Sequence, residues 1–461
     1  MPGVGPLRRL SVWPDDTTAS TFTPHVETTD PINMPTLTST NADVDASPSE
    51  ISKHGFPCRF CGSAVTRSFA DLGVHPHCQR HVTADNYNEA EPTYPLHARV
   101  CDACKLVQLP NHVDPGDIFS DYAFFSGFSE TWKQHSRDYA SEMTSRFGLG
   151  DSSFVVEVAS NDGTLLKPFQ DVGIAVRGIE PAENVADAAN AAGVPTESFF
   201  LGLETAKRFT REFGHADIVA ANNVLAHVPD LNDFSSGLAA LLKPAGVLTV
   251  EFPHLRRLLE ENQFDTIYHE HWSYFWFTTA RSVFEARGLR VFDVKETNTH
   301  GGSTRVYSCW PDAPHQTTPA VAEQEALDRA AGFDDGLTYD AFAERVRETK
   351  RKLLSFLIDA KRAGKRICAY GAPGKGNTML NYCGIGTDMI DFTVDRNPKK
   401  QGNFLPGSRI PIKSPEDLLA AKPDYVLILP WNLREEIARQ MVAIRDWGGQ
   451  FVVPIPQVEI F

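Results

Sequence analysis

The chain has 461 residues, a formal net charge of −15 at pH 7 and eight cysteines. This length predicts about two to four domains, and the acidic balance argues against nonspecific binding to nucleic acid or to a membrane surface. No apolar run approaches the roughly 20 residues that a membrane-spanning helix needs, and Arg8 and Arg9 are not followed by the apolar core of a secretory signal. We therefore expect a cytoplasmic protein with neither nucleic acid nor a membrane as a partner.

Residues 1–53 are rich in Thr, Ser, Pro and Asp and show little hydrophobic periodicity. This composition predicts a disordered tail, in which Met34 is an alternative start of translation.

Two Cys-x-x-Cys pairs follow the tail, in a predicted domain of residues 54–118. Two such pairs form the tetrahedral thiolate set of a structural zinc site, which leaves no open position for chemistry. Redox-active or merely buried cysteine pairs are the alternative, and Cys78 and the nearby histidines at 75, 77 and 81 are weaker candidate ligands. The predicted zinc ligands are Cys58, Cys61, Cys101 and Cys104.

A short β-branched run at 154–158 is followed by the turn Ser160-Asn-Asp-Gly163 and a helix-prone segment from Thr164. Strand, tight turn and helix make up the geometry that binds nucleotide-like cofactors at the carboxyl edge of an open sheet. The turn lacks the three glycines of a dinucleotide fingerprint, which favours S-adenosylmethionine over NAD. An ordinary buried strand–turn–helix unit with an accidental acid is the alternative.

Further residues extend this predicted cofactor site. Glu157 is placed near the methionine end of the cofactor, and Glu180, at the end of the next strand, is suited to accept hydrogen bonds from ribose hydroxyls. A later strand ends at Asn222-Asn223, and Lys243-Pro-Ala-Gly246 ends a predicted helix before the strand 247–252. The predicted cofactor residues are Glu157, Ser160, Asn161, Asp162, Gly163, Glu180, Pro181, Asn222 and Asn223.

The segment Tyr268-His-Glu-His271 carries two imidazoles, a carboxylate and a phenol within four positions. Polar residues this dense after an apolar strand are costly to bury without a purpose. A metal site or a surface loop would also account for the pattern. General acid–base chemistry accounts for all of the residue types together, with imidazole as base, the Glu270 carboxylate to orient a neighbouring histidine, and phenol as a donor to an oxyanion.

A charged, helix-prone connector starts at residue 315, and a second strand–turn–helix unit begins near Lys365. Its turn, Gly371-Ala-Pro-Gly-Lys-Gly-Asn-Thr378, is suited to phosphates but does not have the spacing of a Walker A loop. A loop without a ligand is the alternative. The next strand is predicted over residues 389–394 and ends on Asp395. The predicted substrate-binding residues are Gly371, Gly374, Lys375, Gly376, Asn377 and Asp395.

These motifs together resemble the family of sugar C-methyltransferases that methylate C3 of dTDP-4-keto-2,6-dideoxyhexoses. The resemblance runs from about Cys58 to the C-terminus, and the tail lies outside it. Pro373 stands where a small residue such as alanine is expected. The matching stretches are the two Cys-x-x-Cys pairs, Glu157-Val-Ala-Ser-Asn-Asp-Gly163, Tyr268-His-Glu-His271, His300-Gly-Gly-Ser303, Gly371 to Thr378 and Asp395-Arg-Asn-Pro398.

The resemblance implies an α/β protein with a zinc-knuckle N-terminal module and two Rossmann-like domains. The first of these, over residues 119–314, is a class I methyltransferase domain that binds S-adenosylmethionine, and the second, within 315–461, binds a dTDP-linked sugar. We expect a monomer or weak oligomer. By resemblance, Tyr122, His227, Tyr268, Glu270 and His271 line the reaction centre, and His271 is the base.

Two other functions stay open at this point. An O- or N-methyltransferase of another small molecule would share the cofactor half of the chain without needing a base that forms an enolate. A binding protein would keep the zinc and cofactor folds without turnover.

Overall fold

The computed structural model describes residues 55–119 and 125–461. The predicted disordered tail and the predicted reaction-centre residue Tyr122 lie outside these residues. No helix among them is both long and apolar enough to cross a membrane.

The N-terminal part is built on short antiparallel strands. A hairpin of β1 (Phe56–Pro57) and β2 (Ala64–Val65) carries the first cysteine pair. A four-stranded sheet has the order β11-β5-β4-β3, and its edge strand β11 comes from much later in the chain. The sheet strands and the following helix are β3 (Arg67–Pro76), β4 (Thr93–Val100), β5 (Val107–Gln108), β11 (Ser273–Tyr274) and α1 (Pro115–Phe119).

The middle part is a seven-stranded sheet with the order β12-β13-β10-β9-β6-β7-β8. The five strands from β10 to β8 are parallel, and β13 runs antiparallel to both of its neighbours. The strands are β6 (Phe154–Val158), β7 (Ala175–Ile179), β8 (Thr196–Glu197), β9 (Ala216–Asn222), β10 (Leu242–Pro253), β12 (Arg290–Thr297) and β13 (Ser303–Cys309).

Helices cover both faces of this sheet, and helix α2 shows how local sequence sets their ends. Ser129 caps its first turn by accepting a hydrogen bond from the Trp132 amide, and Gly148 ends it in the left-handed conformation. The helices of this part are α2 (Glu130–Phe147), α3 (Lys167–Asp171), α4 (Glu183–Ala191), α5 (Leu203–Phe213), α6 (Leu231–Ala240), α7 (Leu255–Glu260) and α8 (Phe277–Glu285).

Two helices, α9 (Pro319–Ala330) and α10 (Gly336–Arg362), lead to the C-terminal sheet. This sheet has the order β16-β15-β14-β17-β18-β19 and is parallel except for β19. Its elements are β14 (Ile367–Tyr370), α11 (Gly374–Cys383), β15 (Thr393–Val394), β16 (Ile412–Lys413), α12 (Pro415–Ala421), β17 (Tyr425–Ile428), α13 (Arg434–Gln440), β18 (Gln450–Val453) and β19 (Glu459–Ile460). Single 3-10 turns lie at Ser126–Phe128, Leu225–His227, Phe264–Thr266, Thr299–Gly301, Trp431–Leu433 and Val442–Trp447.

The apolar cores join parts of the chain that are distant in sequence. The cysteine knuckles pack with one face of the middle sheet, through residues such as Val65 and Leu106. The N-terminal sheet packs instead with the C-terminal domain, where Phe69 stacks on Phe342 with ring centroids 4.7 Å apart. The N-terminal module therefore contacts both larger domains and positions them around the segment between β10 and β11.

The predicted α/β class with two doubly wound sheets is confirmed, and three predicted elements differ in extent. The helix after the cofactor turn begins at Lys167 rather than Thr164. The Lys243–Gly246 segment lies within β10, where the pairing with β9 shifts register, rather than in a helix end. The strand expected over 389–394 is reduced to Thr393–Val394.

Candidate active site

The four cysteines of the two knuckles converge. Their sulfur atoms all lie within 4.8 Å of one another. Backbone hydrogen bonds shape each knuckle, because the Gly62 amide donates to the Cys58 carbonyl and the Lys105 amide donates to the Cys101 carbonyl. Four cysteine sulfurs at this separation are the donor set of a closed, tetrahedral zinc site. The residues therefore fit zinc.

The alternative ligands lie elsewhere. Cys78 is buried with its sulfur 3.6 Å from Glu270, and His75 shares a hydrogen bond of 2.7 Å with the Leu72 carbonyl. Within residues 55–119 and 125–461, no other histidine, cysteine or acidic side chain joins the four-cysteine group.

The turn after β6 is braced by its own side chains. Glu180 accepts hydrogen bonds from the backbone amides of Asn161 and Ala182, both at 2.9 Å. Asn161 and Asp162 accept in turn from the amides of Ser126 and Gly127, both at 2.8 Å. Glu180 thus shapes the turn through both carboxylate oxygens, in addition to the ribose role expected from the sequence.

Gly163 has a φ of 78°, and a Cβ at this position would lie 2.8 Å from the Val194 side chain. Both the left-handed backbone and the close approach require glycine here.

Several buried polar atoms at this turn make no hydrogen bond with the described residues. They are Glu157 Oε2, the Ser160 hydroxyl, and both polar atoms of the Asn222 side-chain amide. Burial, reinforced by the carboxylates of Asp162 and Glu180, raises the pKa of Glu157. Buried polar atoms without partners carry a free-energy cost that a polar ligand would offset. The turn therefore fits a ligand with hydroxyl and amino groups, such as S-adenosylmethionine.

The other predicted cofactor residues lie beside these atoms in the fold. Asn223 adopts a left-handed conformation directly after β9, and its amide donates to the Glu251 carbonyl at 2.7 Å. Pro181 follows Glu180 at the end of β7 and accepts a hydrogen bond of 3.4 Å from the Ser198 hydroxyl at its carbonyl.

His271 lies in the segment between β10 and β11, and its ring contacts that of His227, which ends the 3-10 turn after β9. Their ring centroids are 4.6 Å apart, and the Tyr268 ring lies 4.1 Å from the His271 ring. The Nδ1 atom of His271 donates to the Thr266 carbonyl at 2.9 Å, because a carbonyl can only accept. This contact fixes the tautomer that leaves Nε2 basic.

Burial lowers the pKa of both imidazoles. The pKa of His227 falls to about 4, and that of His271 falls well below 6.5 because of burial and the neighbouring His227. Both rings are therefore neutral at pH 7, the state in which an imidazole can accept a proton.

Glu270 occupies a different position from the one that the sequence implied. Its carboxylate lies 3.6 Å from both the Cys78 sulfur and His77 Nε2. The histidine that it can orient is thus His77 of the N-terminal domain, whereas His271 is oriented by Thr266 and the ring of His269 lies 3.3 Å from the Tyr94 and Pro95 carbonyls.

The glycine-rich turn of the C-terminal domain lies against the other two domains. Asp395 accepts from the Ala372 amide at 2.9 Å, and Asn377 donates to the Cys78 carbonyl at 2.6 Å. Gly371 has a φ of 95° and lies so close to Pro430 that a Cβ would be 2.5 Å from its ring. Gly374 and Gly376 form the first turn of α11.

Lys375 does not line an open phosphate site. Its ammonium group is buried, donates to Asn432 at 2.9 Å and lies 4.7 Å from the centroid of the Trp431 ring. Burial lowers the pKa of Lys375, and the carboxylate of Asp265 opposes this shift. The structure thus places Lys375 beside Asn432 and Trp431, and its role as a phosphate contact stays a prediction.

A cavity of about 1030 Å³, here called the cleft, opens between the N-terminal and C-terminal domains. Gly371 and Asp395 are among the predicted substrate residues that line it. Its basic side chains, which the sequence reasoning did not single out for substrate binding, are His77, Arg80, His81, Arg396 and Lys400, and its acidic side chains are Glu89, Glu91, Asp395 and Glu436. The stretch His77-Cys-Gln-Arg-His81 between the knuckles was the signal that could have indicated them, because it concentrates basic residues in a short loop.

Comparison with known proteins places these features in a family. Models of a zinc-binding domain, a methyltransferase domain and a C-methyltransferase C-terminal domain match residues 58–119, 132–294 and 298–456. The C-methyltransferase NovU of Streptomyces niveus is 38% identical over 406 residues, which are 87% of this chain and 96% of NovU.

Two further likenesses are partial. A ubiquinone biosynthesis O-methyltransferase of Rhodopseudomonas palustris is 33% identical over 100 residues, covering 21% of this chain and 38% of that protein. The magnesium protoporphyrin IX methyltransferase of Synechocystis PCC 6803, solved with bound SAM, is 16% identical at a TM-score of 0.33 and covers 44% of this chain and 100% of that one. A TM-score this low supports no conclusion about the present site.

The three matched models and the relative of nearly full length agree with the cysteine cluster and the turn after β6. The cofactors of the protein are S-adenosylmethionine and a structural zinc ion. The chain belongs to the family of S-adenosylmethionine-dependent C-methyltransferases that combine a zinc-binding domain, a methyltransferase domain and a C-methyltransferase C-terminal domain.

Proposed function

We propose that the enzyme methylates the carbon next to the ketone, C3, of a dTDP-linked 4-keto-deoxysugar. The observation that carries the proposal is the cleft, which is large enough for a nucleotide sugar and is lined by Arg80, Arg396 and Lys400. Guanidinium and ammonium groups are the usual protein partners of phosphate oxygens. His77 lines this cleft and lies 3.6 Å from Glu270, so a single side chain separates the cleft from the segment that holds His271.

His271 is the proposed base. Its Nε2 atom accepts the proton of C3, and the electron pair of the broken C–H bond passes into an enolate whose oxygen is the former ketone oxygen. Removal of such a proton by imidazole requires stabilisation of that oxygen. Tyr268, whose ring lies next to His271, is the candidate donor.

The cofactor residues proposed above hold S-adenosylmethionine at the turn after β6. When bound, this group supplies the methyl that the enolate carbon takes. The two substrates are held by different domains, and a fixed orientation of this kind removes much of the entropic cost of a reaction between two molecules.

Mass spectrometry of reaction mixtures tests the function. Protein incubated with S-adenosylmethionine and a panel of nucleotide-linked 4-ketosugars should add one methyl group to a dTDP-linked member, at carbon. Deuterium at C3 of that substrate should be lost to water. The proposal would be refuted if the protein methylated none of the ketosugars and instead methylated an oxygen or nitrogen of a substrate that has no α-proton.

The role of the cleft is tested by substitution of its arginine. Arg396→Ala should weaken binding of the nucleotide sugar about tenfold, or roughly 1.4 kcal/mol, because a charged contact to phosphate is lost. Arg439→Ala, at an exposed arginine that does not line the cleft, is the control and should leave binding unchanged. Equal affinities for wild type and Arg396→Ala in calorimetry would exclude Arg396 as a phosphate contact.

A further inference from the structure

His77 and Glu270 form a buried pair that joins the cleft to the reaction segment. The side chain of His77 is 12% exposed and that of Glu270 is 1% exposed, with Nε2 and Oε1 3.6 Å apart. Among the described residues, Nε2 of His77 has no hydrogen-bond partner. His77 also lines the cleft, so the same imidazole faces both the carboxylate and any ligand bound there.

The charges around the pair set its state without a ligand. Burial, with the neighbouring Arg80 adding to it, lowers the pKa of His77 to about 4. Burial raises the pKa of Glu270 to about 7, opposed by the contact with Cys78 and by Lys400. The imidazole is therefore neutral at pH 7, and the carboxyl group is partly protonated. The other titratable group facing the pair is His269, whose pKa His77 helps to lower.

An anion in the cleft changes this balance. A diphosphate near Arg80 offsets the positive charge that disfavours protonation of His77. A protonated imidazole 3.6 Å from Glu270 in turn favours the carboxylate, because opposite charges at this separation in a buried site stabilise each other.

The state of Glu270 matters for its neighbours. Its backbone carbonyl accepts a hydrogen bond from His227, and the next residue is the proposed base His271. An ion pair that fixes the Glu270 side chain therefore also fixes the segment that holds both imidazoles.

We propose that His77 is a positioning residue, which takes up a proton when the diphosphate of the substrate occupies the cleft and then anchors Glu270 as a carboxylate. This inference rests on the proposed function, because that function places the diphosphate in the cleft. It links occupancy of the cleft to the arrangement of Tyr268–His271, so that the base is held in place when substrate is present.

Calorimetry of ligand binding tests the inference. The probes are dTDP-glucose and UDP-glucose, which carry the diphosphate but lack the ketone and have no phosphate that titrates near pH 7. Titrations in buffers of different ionisation enthalpy report the protons taken up on binding. Wild-type protein should take up protons on binding at pH 7 and more of them at pH 8, since the free carboxyl group has lost more of its own proton by then.

Variants assign the proton. His77→Gln should bind the probe with no proton uptake, and His77→Asn serves as a second variant in case the first fails to fold. Glu270→Gln should also lose the uptake, because the counter-charge is gone. His215→Gln is the control, because His215 is exposed and does not line the cleft, and it should keep the uptake.

The outcomes separate the two proposals. Failure of wild-type protein to bind either probe would refute the proposed function, and this inference with it. Binding without proton uptake would overturn the inference alone, as would uptake that persists in His77→Gln or disappears in His215→Gln.

Discussion

The imidazole of His271 is held in one tautomer by a backbone carbonyl, that of Thr266. A carbonyl partner orients the ring without adding charge, so the burial of the ring dominates its pKa and keeps the ring neutral. The sequence predicted the residue types of this segment but not their partners. Glu270 was expected to orient a histidine of its own segment, whereas the histidine within its reach is His77, which folding brings to it from the N-terminal domain.

His271→Asn should abolish methyl transfer and the exchange of the C3 proton with deuterated water. A general base contributes about 10²–10⁴-fold, so the loss in rate should be at least of this size. Because its pKa is lowered, the exchange rate of wild type should stay level as pH falls through 6.5 and decline only below that. Binding of S-adenosylmethionine should survive. If His271→Asn keeps full exchange and His227→Asn loses it, the base is His227.

Glu180→Ala should weaken binding of S-adenosylmethionine by roughly 1–3 kcal/mol, the range for hydrogen bonds to a charged group. The loss would include the bracing of the turn, because Glu180 accepts from the amides of Asn161 and Ala182. Glu183→Ala, at an exposed acid in the next helix, is the control for a change in local charge. If calorimetry gives both variants the affinity of wild type for S-adenosylmethionine, the carboxylate of Glu180 does not contribute to cofactor binding.

At the scale of elements, apolar runs with β-branched residues were enough to predict the buried parallel strands. β6 has the bounds that its hydrophobic run predicts, because burial on both faces leaves a nearly continuous apolar signature. The hydrophobic pattern does not predict the end of a strand that is extended by backbone pairing rather than by burial. Lys243–Gly246 reads as a helix end but lies within β10, where Lys243 forms an ion pair of 2.7 Å with Asp217.

The knuckles predict the metal content of the purified protein. Wild-type protein should carry about one zinc per chain, and Cys58→Ser should lose it, because three thiolates leave the site open. Cys309→Ser, at a buried cysteine outside the cluster, should keep its zinc. Atomic emission measurements on the three proteins decide the matter, and full zinc content in Cys58→Ser would exclude Cys58 as a ligand.

At the scale of the whole molecule, the reaction segment depends on contacts among all three domains. Gln108 of β5 donates to the Cys58 sulfur and pairs with Ser273, which follows the reaction segment by two residues. Asp265 accepts from Trp431 of the C-terminal domain at 2.8 Å. None of these contacts has a periodic signal in sequence, so the packing of the domains could not be predicted from one sequence. The cleft and the burial of Lys375 depend on that packing and could not be predicted either.

Domain packing also predicts an acid-sensitive fold. Burial lowers the pKa of His269 to about 4, below its unfolded value of about 6.5, so its contribution to stability is present above pH 6.5 and is lost as pH falls towards 4. The amount at stake is roughly 3 kcal/mol at about 1.4 kcal/mol per pKa unit. His269→Gln should therefore flatten the decline of the melting temperature between pH 6.5 and 4. The same substitution at exposed His215 should leave the curve of wild type unchanged, and a His269→Gln curve parallel to wild type would contradict the prediction.

The pairing of β11 with β5 limits how such enzymes can be recombined. Ser273 and Tyr274 belong by sequence to the methyltransferase domain, yet they form the edge strand of the N-terminal sheet. A chimaera that joined the zinc-binding domain of one relative to the remainder of another would assemble this sheet from two parents. The two strands would have to match in twist and side-chain size at a point next to the residues that perform the chemistry. Chimaeras that exchange substrate preference between relatives should therefore succeed when β5 and β11 are taken from the same parent protein.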